Sequence, residues 1–401
     1  MSDALTLLSG DGSVASAALN EAGAFTKPSH GLRSRVAYAA AHVAPIAWAD
    51  NTPGEPAKID WDATLAFRRN VYSWGLGVAD AMDTAQRNMG LDDAAVRELI
   101  ARSAEVAREE GGSVAVGVNT DHIEEPVASL QQIIDGYKHQ LHHAEEHGAV
   151  PVLMASRHLA RTAESTDDYR RVYREVLGDA TTPVVLHWLG TAFDPQLVGY
   201  FGSTDWREAS DVVIGIIGEH AAKISGIKMS LLDADAEVSV RERLPEGVRM
   251  FTGDDFSYVG LIGGADVPDA AQPERSPGTT RTHSDALLGA FAAIAPVASA
   301  AIQALDVGDP ARYCELLQPT EALSRQVFAT PTFYYKTGVA FLAWLNGHQP
   351  AFQMVGGLHS ARSLPHLSEI VRLANDARAL EEPDLAAERW HSLLHLNGVD
   401  A

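Results

Sequence analysis

Short valine-rich apolar runs alternate with amphipathic stretches of helical period from about residue 35 to residue 306. The runs 35–46 (RVAYAAAHVAPI), 76–82 (LGVADAM), 113–119 (SVAVGVN) and 149–156 (AVPVLMAS) read as strands. So do 182–190 (TPVVLHWLG), 224–233 (ISGIKMSLLD), 247–255 (GVRMFTGDD) and 284–293 (SDALLGAFAA). Such runs suit strands buried on both faces of a parallel sheet. Between them, 60–75, 92–111, 127–148, 165–179 and 235–244 space their apolar residues at helical period. "DPQLVGYFGS" and "DWREASDVVIGIIGEHAAK" are predicted helices before the sixth strand, while 257–264 and 296–306 add two later ones. Acids open 92–111 and glycine closes it, as the helix dipole and the C-terminal turn favour. Eight strand–helix units predict an α/β fold of the (β/α)8 barrel type and not a doubly wound sheet. Neither G-x-G-x-x-G nor G-x-x-x-x-G-K-[ST] follows any of these strands, so the nucleotide-binding fingerprints are missing.

Outside this alternation the pattern changes. Residues 1–30 are rich in Ala, Ser and Gly and weakly patterned, as in an N-terminal tail or arm. The barrel is expected over 31–306, with 265–283 as an inserted loop of Pro/Gly/Ser/Thr character. From 307 to 401 the periodicity is helical throughout, which predicts a C-terminal helical extension serving as a cap or a subunit contact.

Composition narrows the function. A net charge of −22, from 53 acids and 31 bases, repels phosphate backbones and anionic lipid, so neither nucleic acid nor membrane is an expected partner. No stretch approaches the roughly 20 apolar residues of a membrane span. The first residues lack the pattern of a secretory signal, and the single Cys314 excludes an intrachain disulfide framework and a cysteine-cluster zinc site. A cytoplasmic homo-oligomer is expected.

Only six of the 31 basic residues are lysines, and Lys228 sits in the middle of the sixth strand. Side chains alternate faces along a strand, so Ile227 and Met229 share one face while Gly226 and Lys228 share the other. Barrel active sites lie at the C-terminal ends of the strands. A lysine facing the barrel interior there loses hydration, which lowers its pKa and makes it a nucleophile able to form an iminium with a carbonyl compound. The competing assignment is a lysine paired with a core carboxylate. Gly226 is expected to leave room for the Lys228 side chain.

The ordered set "IDWDATLAF", "PVVLHWLG", "GIKMS", "FTGDD" and "ALLGAFAAIAPVASAAIQALDVGD" resembles the dihydrodipicolinate synthase / N-acetylneuraminate lyase superfamily of Schiff-base-forming barrels, over roughly residues 35–330. The resemblance implies the barrel fold and Lys228 as the Schiff-base lysine. The departures are specific. The family's Gly-Thr-Thr-Gly-Glu after strand two reads Met82-Asp83-Thr84-Ala85-Gln86, keeping the second threonine as Thr84. Its Tyr-Asn-x-Pro on strand five reads His187-Trp188-Leu189-Gly190, so His187 replaces the tyrosine of the proton relay. The Gly-Arg-Thr-Gly that helps hold a substrate carboxylate is absent from "TAFDP". A divergent branch is implied, with a keto-acid substrate not carried over.

His187 has an ordinary pKa of about 6.5, suited to proton transfer near neutrality; a satisfied core histidine is the alternative. Thr84 and Asp83 close strand two, where they either assist the relay or cap the next helix. Polar residues also gather at the other strand ends: His42, Asn119, Asp121-His122, Arg157-His158 and Asp254-Asp255. Of these, His42, Asn119, Arg157, Asp254 and Asp255 are the expected substrate-binding set, with Arg157 for an anionic group. Trp188 is expected to pack toward the helix layer. "HQLHHAEEHG" spaces its histidines at helical period on an outer helix, more a solvated face than a metal site. The expectation is therefore a class I aldolase-type lyase acting on a hydroxylated or sugar-derived carbonyl compound by retro-aldol cleavage or dehydration, without cofactor or metal. The alternatives are a metal-dependent isomerase, epimerase or lyase, with His42, Asp83, His187 and Asp255 as ligands and Lys228 as base or donor, and a non-catalytic sugar-binding barrel.

Overall fold

The computed structural model describes residues 4–268 and 282–399. Eight parallel strands form a closed barrel: β1 (Ala37–Ala40), β2 (Gly77–Asp80), β3 (Val114–Val118), β4 (Val150–Met154), β5 (Val184–Leu189), β6 (Ile224–Ser230), β7 (Arg249–Thr252) and β8 (Asp285–Leu288). Closure comes from β8 pairing with β1, Ala286 opposite Ala37. Each strand is short and apolar enough to be buried on both faces, the requirement for a parallel barrel wrapped in helices. One set of alternating side chains fills the interior, including Tyr38, Ala79, Ala115, Val152, Val185, Phe251 and Leu287. The other set meets the helices in a larger apolar layer. Trp188 belongs to that layer and meets Phe201 edge-on at 5.4 Å between ring centres.

The helices form where caps and periodicity coincide. Asp92 caps Asp93–Glu110, which ends at Gly111 with φ 64°, and Ser129 with Gln132 forms a capping box on Leu130–Glu146. Two expectations need correction. "DPQLVGYFGS" gives not a helix but two short turns, Pro195–Leu197 and Tyr200–Gly202, because Gly199 and Phe201 take positive φ and interrupt the helical path. The run 284–293 is strand only to Leu288, and a short helix, Ala290–Ala293, follows Gly289.

At the N-terminus, strands Ala4–Leu8 and Val14–Ala18 form an antiparallel hairpin docked on the C-terminal helices. Trp390 Nε1 donates to the Thr6 carbonyl at 2.7 Å, and the Leu8 N–H donates to Ser368 Oγ at 2.8 Å. Of the segment 265–283 expected as an inserted loop, residues 269–281 lie outside the described residues. The C-terminal helices Pro310–Val327, Lys336–Leu345, Leu364–Asp376 and Pro383–Leu396 pack on one another. Lys336–Leu345 also contacts the Asp83–Ala85 turn after β2 and the Ala290–Ala293 helix after β8. The extension therefore lies over the C-terminal mouth of the barrel. Among the described residues no helix is long and apolar enough to cross a membrane.

Candidate active site

Strand alternation on β6 turns Gly226, Lys228 and Ser230 toward the interior, while Ile227 and Met229 enter the helix-facing layer. The sequence expectation that Gly226 makes room for the lysine needs correction. The space of the Gly226 Cβ is needed by Phe251, whose Cε2 would lie 2.6 Å from it. The glycine that clears a path for Lys228 is Gly253, where a Cβ would come 2.8 Å from Lys228 Cε.

Lys228 is only 8% exposed and makes no hydrogen bond or ion pair among the described residues. Burial lowers its pKa, opposed by the carboxylates of Asp83 and Asp255. The lysine is thus not locked against an acid. Asp255 follows β7, is buried, and accepts the Ala290 N–H at 2.9 Å. Burial raises its carboxyl to about 7, against the Ala290 bond and the charge of Lys228. His187 stands opposite Lys228 on β5, with Nε2 3.2 Å from Ser230 Oγ and Nδ1 without a partner among the described residues. Burial, and then the Lys228 charge, holds His187 well below its ordinary pKa, so it is a neutral imidazole at pH 7.

The C-terminal extension completes this cluster. Thr84 and Tyr335 share a hydroxyl hydrogen bond of 2.7 Å, both side chains buried. The Tyr335 ring stacks on Phe328 at 4.3 Å, which fixes its direction. Burial, followed by Asp83, raises the Tyr335 pKa well above normal. Lys336 is 2% exposed, and burial lowers its amine to about 8, opposed by Asp83 and Asp194. Asp83 therefore acts on both amines. It lies in the Asp83–Ala85 turn without capping that turn, as the N-cap position is Met82.

The expected substrate-binding residues divide. Asp255 joins Lys228. Asp254 does not: its Oδ1 accepts the N–H groups of Phe256 (2.8 Å) and Ser257 (3.0 Å), a local turn. His42 turns to the first helix and the extension, with its ring 4.7 Å from Phe67 and Nε2 donating to Gln349 at 2.9 Å. Burial, with Arg68 adding to it, lowers the His42 pKa to about 3. Arg157 is tied through Nε to Asp194 at 2.6 Å. With Asn119 it borders a cavity of about 250 Å3 at the ends of β3 and β4. Asp121 pairs with the buried Arg87, and His122 shares a hydrogen bond with Gln140. Among the described residues no group of three His, Cys, Asp or Glu side chains converges as metal ligands, so the alternative set of His42, Asp83, His187 and Asp255 is not assembled. The histidines at 139–147 engage surface partners, with His139 on Arg97 and His142 on Asp179.

Tyr335, Lys336, Ser230 and Gly253 were not singled out from the sequence. Lys336 carried a signal: it is one of six lysines and opens a largely apolar helix, Lys336–Leu345.

The closed eight-stranded parallel barrel with its C-terminal helices is the fold of the dihydrodipicolinate synthases. The Aquifex aeolicus dihydrodipicolinate synthase structure matches with a TM-score of 0.59 at 13% identity, covering 91% of this chain and 98% of that one. The Thermotoga maritima enzyme matches with a TM-score of 0.60 at 13% identity, over 87% of this chain and 100% of that one. A monomeric dihydrodipicolinate synthase variant gives a TM-score of 0.61 at 13% identity, over 86% and 97%. No curated protein sequence matches this one. The family described as "Protein of unknown function (DUF993)" matches residues 5–399, and the chain belongs to it.

Proposed function

We propose that this protein is a lyase of class I aldolase type, in which Lys228 forms a Schiff base with a hydroxylated or sugar-derived carbonyl substrate. The observation that carries the proposal is the Lys228 amine, buried at the barrel mouth with no acid bonded to it. The neutral amine adds to the carbonyl carbon, and the carbinolamine loses water to give an iminium. In retro-aldol cleavage a base takes the proton of the substrate's β-hydroxyl. The adjacent C–C electron pair then moves into the iminium, leaving an aldehyde and an enamine. Protonation of the enamine carbon and hydrolysis return the amine and release the second product. In dehydration the base takes the proton next to the iminium, and hydroxide leaves with a proton as water.

Proton carriers are at hand without any organic cofactor. Asp255, at about 7, exchanges a proton readily near neutrality. The Tyr335–Thr84 hydroxyl pair supplies a second route. His187 enters as a neutral hydrogen-bonding group, because burial removes its basicity. In this proposal the tyrosine lost from strand five is replaced from the extension. In this reading the protein works in the cytoplasm as a homo-oligomer, in keeping with its single cysteine and net charge of −22.

The test is borohydride reduction in the presence of a panel of keto-sugars and keto-acids, read by intact mass and peptide mapping. A stable adduct on Lys228 is expected. No adduct with any member of the panel, or an adduct on Lys336 alone, overturns the proposal.

A further inference from the structure

A cavity of about 490 Å3 lies at the base of the barrel, on the face opposite the mouth. It is lined by the starts of β1 and β2, by the Gly111–Gly112 turn before β3, and by residues 28–32 of the N-terminal arm. That volume falls within the range of small-molecule sites. Glycines keep it open. A Cβ at Gly77 would come 2.6 Å from Tyr38 Cδ1, and one at Gly112 would come 2.3 Å from Tyr72 Cδ1. Each ring therefore takes space that any other residue would fill, and both rings border the cavity without filling it. Gly75 admits the arm in the same way, since its Cβ would lie 2.8 Å from Pro28 Cγ. The arm is pinned just beyond, where the Asp306 carboxylate accepts the N–H groups of Arg33 (3.1 Å) and Ser34 (2.6 Å).

The polar groups of this wall decide what fits. Tyr38 Oη and Ser113 Oγ are 2.8 Å apart, and a single hydrogen makes that bond. The other hydroxyl proton of the pair has no acceptor among the described residues. The backbone of His30 and Gly31, N–H and C=O alike, is also unbonded among the described residues. Charge, by contrast, is already paired. Arg35 gives Nε to the Ile262 carbonyl at 2.6 Å and its terminal nitrogens to Ser34, Gly263 and Asp266. Glu110 pairs with Arg69 at 2.8 Å. An anionic ligand would meet no free guanidinium or ammonium on this wall, in a chain of net charge −22. Two phenol rings with few side-chain acceptors favour a flat ring over a polyol, whose hydroxyls would be left unpaired.

We infer that the basal cavity binds a neutral heteroaromatic ring system of one or two cycles, held against Tyr72 and Tyr38. Its hydrogen-bonding edge meets the Tyr38–Ser113 hydroxyl pair and the arm backbone. The site is separate from the mouth and independent of the chemistry proposed for Lys228.

Ligand-observed NMR titration of the intact protein with adenine tests this, with benzoate as the anionic ring and glucose as the polyol. Adenine is expected to bind, and benzoate and glucose to bind at least about tenfold more weakly. Loss of one stacking face is expected to cost about tenfold, so Tyr72→Leu weakens adenine binding by that factor or more, while Tyr72→Phe stays within about threefold. No adenine binding by wild type, benzoate or glucose binding as tightly as adenine, or equal adenine binding by wild type and Tyr72→Leu overturns the inference. Should Tyr72→Leu not fold, wild-type crystals grown with adenine replace it. Density for the base beside Tyr72 supports the site; density only elsewhere, or none, overturns it.

Discussion

Thr84 and Tyr335, 251 positions apart in the chain, share a hydroxyl hydrogen bond of 2.7 Å at the mouth of the barrel. One hydroxyl comes from the turn after β2 and the other from the cap of the Lys336–Leu345 helix within the extension. The pair therefore exists only when the extension is docked on the barrel.

Tyr335→Phe leaves the Thr84 hydroxyl buried without that partner. The variant is expected to lose about 1–2 kcal/mol of stability, measured by denaturant unfolding. If the pair carries protons in the proposed reaction, Lys228 adducts still form. Without borohydride, exchange of deuterium into the carbon next to the carbonyl of a substrate bound as the Schiff base then slows by about 10²-fold or more. Unchanged exchange in a folded Tyr335→Phe protein removes the hydroxyl pair from the proton route.

Lys228→Met replaces a buried amine by an apolar side chain of similar length. The variant is expected to be more stable than wild type by on the order of 1–3 kcal/mol at pH 7, and to form no borohydride adduct. The sign of the pH dependence follows from the lowered pKa. Between its folded value and the ordinary 10.5, the unfolded chain binds the proton more often than the folded one. Wild-type stability therefore rises with pH across that window relative to Lys228→Met. Denaturant melts from pH 7 to 10 measure the difference; parallel curves would mean that the amine is not desolvated.

The barrel was legible in the sequence because its strands announce themselves twice, by continuous apolar character and by the amphipathic helices between them. Lys228 was legible because a charge within such a run has few structural explanations. The rest of the cluster depends on long-range proximity. Nothing near Tyr335 indicates that its hydroxyl meets Thr84, and an aromatic helix normally reads as packing. Alternation predicted the direction of Lys228 but not which glycine makes room for it. That depends on the register of β6 against β7, where Lys228 stands beside Phe251. His42 illustrates the converse: its position after β1 suggests the mouth, yet contacts with Phe67 and Gln349 hold it elsewhere.

Asp255 provides a pH signature of its own. Its carboxyl is raised from 3.8 to about 7 by burial. Between those values the folded protein holds a proton that the unfolded chain has released, so this group's contribution to stability falls as pH rises from about 4 to 7. Asp255→Asn, which stays neutral, is expected to remove that slope. Unfolding free energies of the two proteins at pH 4.5, 5.5 and 7 decide the matter. A constant difference between them would exclude a raised Asp255.

Gly253 and Gly226 spare different neighbours by lacking a Cβ. A Cβ at Gly253 would come 2.2 Å from Ser230 Oγ, 2.7 Å from the Met229 carbonyl oxygen and 2.8 Å from Lys228 Cε, whereas one at Gly226 would meet Phe251 Cε2 at 2.6 Å. Both alanine variants overpack the barrel interior and are expected to lose about 1–3 kcal/mol of stability. Their effects on the amine should differ. Gly253→Ala displaces the Lys228 stem directly, so borohydride trapping is expected to fall by about tenfold or more even where the protein remains folded. Gly226→Ala pushes on an aromatic ring below the lysine, and trapping should stay within about threefold of wild type. Parallel thermal melts and trapping rates for the two variants separate lost folding from a misplaced amine. Equal trapping by both would mean that Gly253 does not hold the path of Lys228.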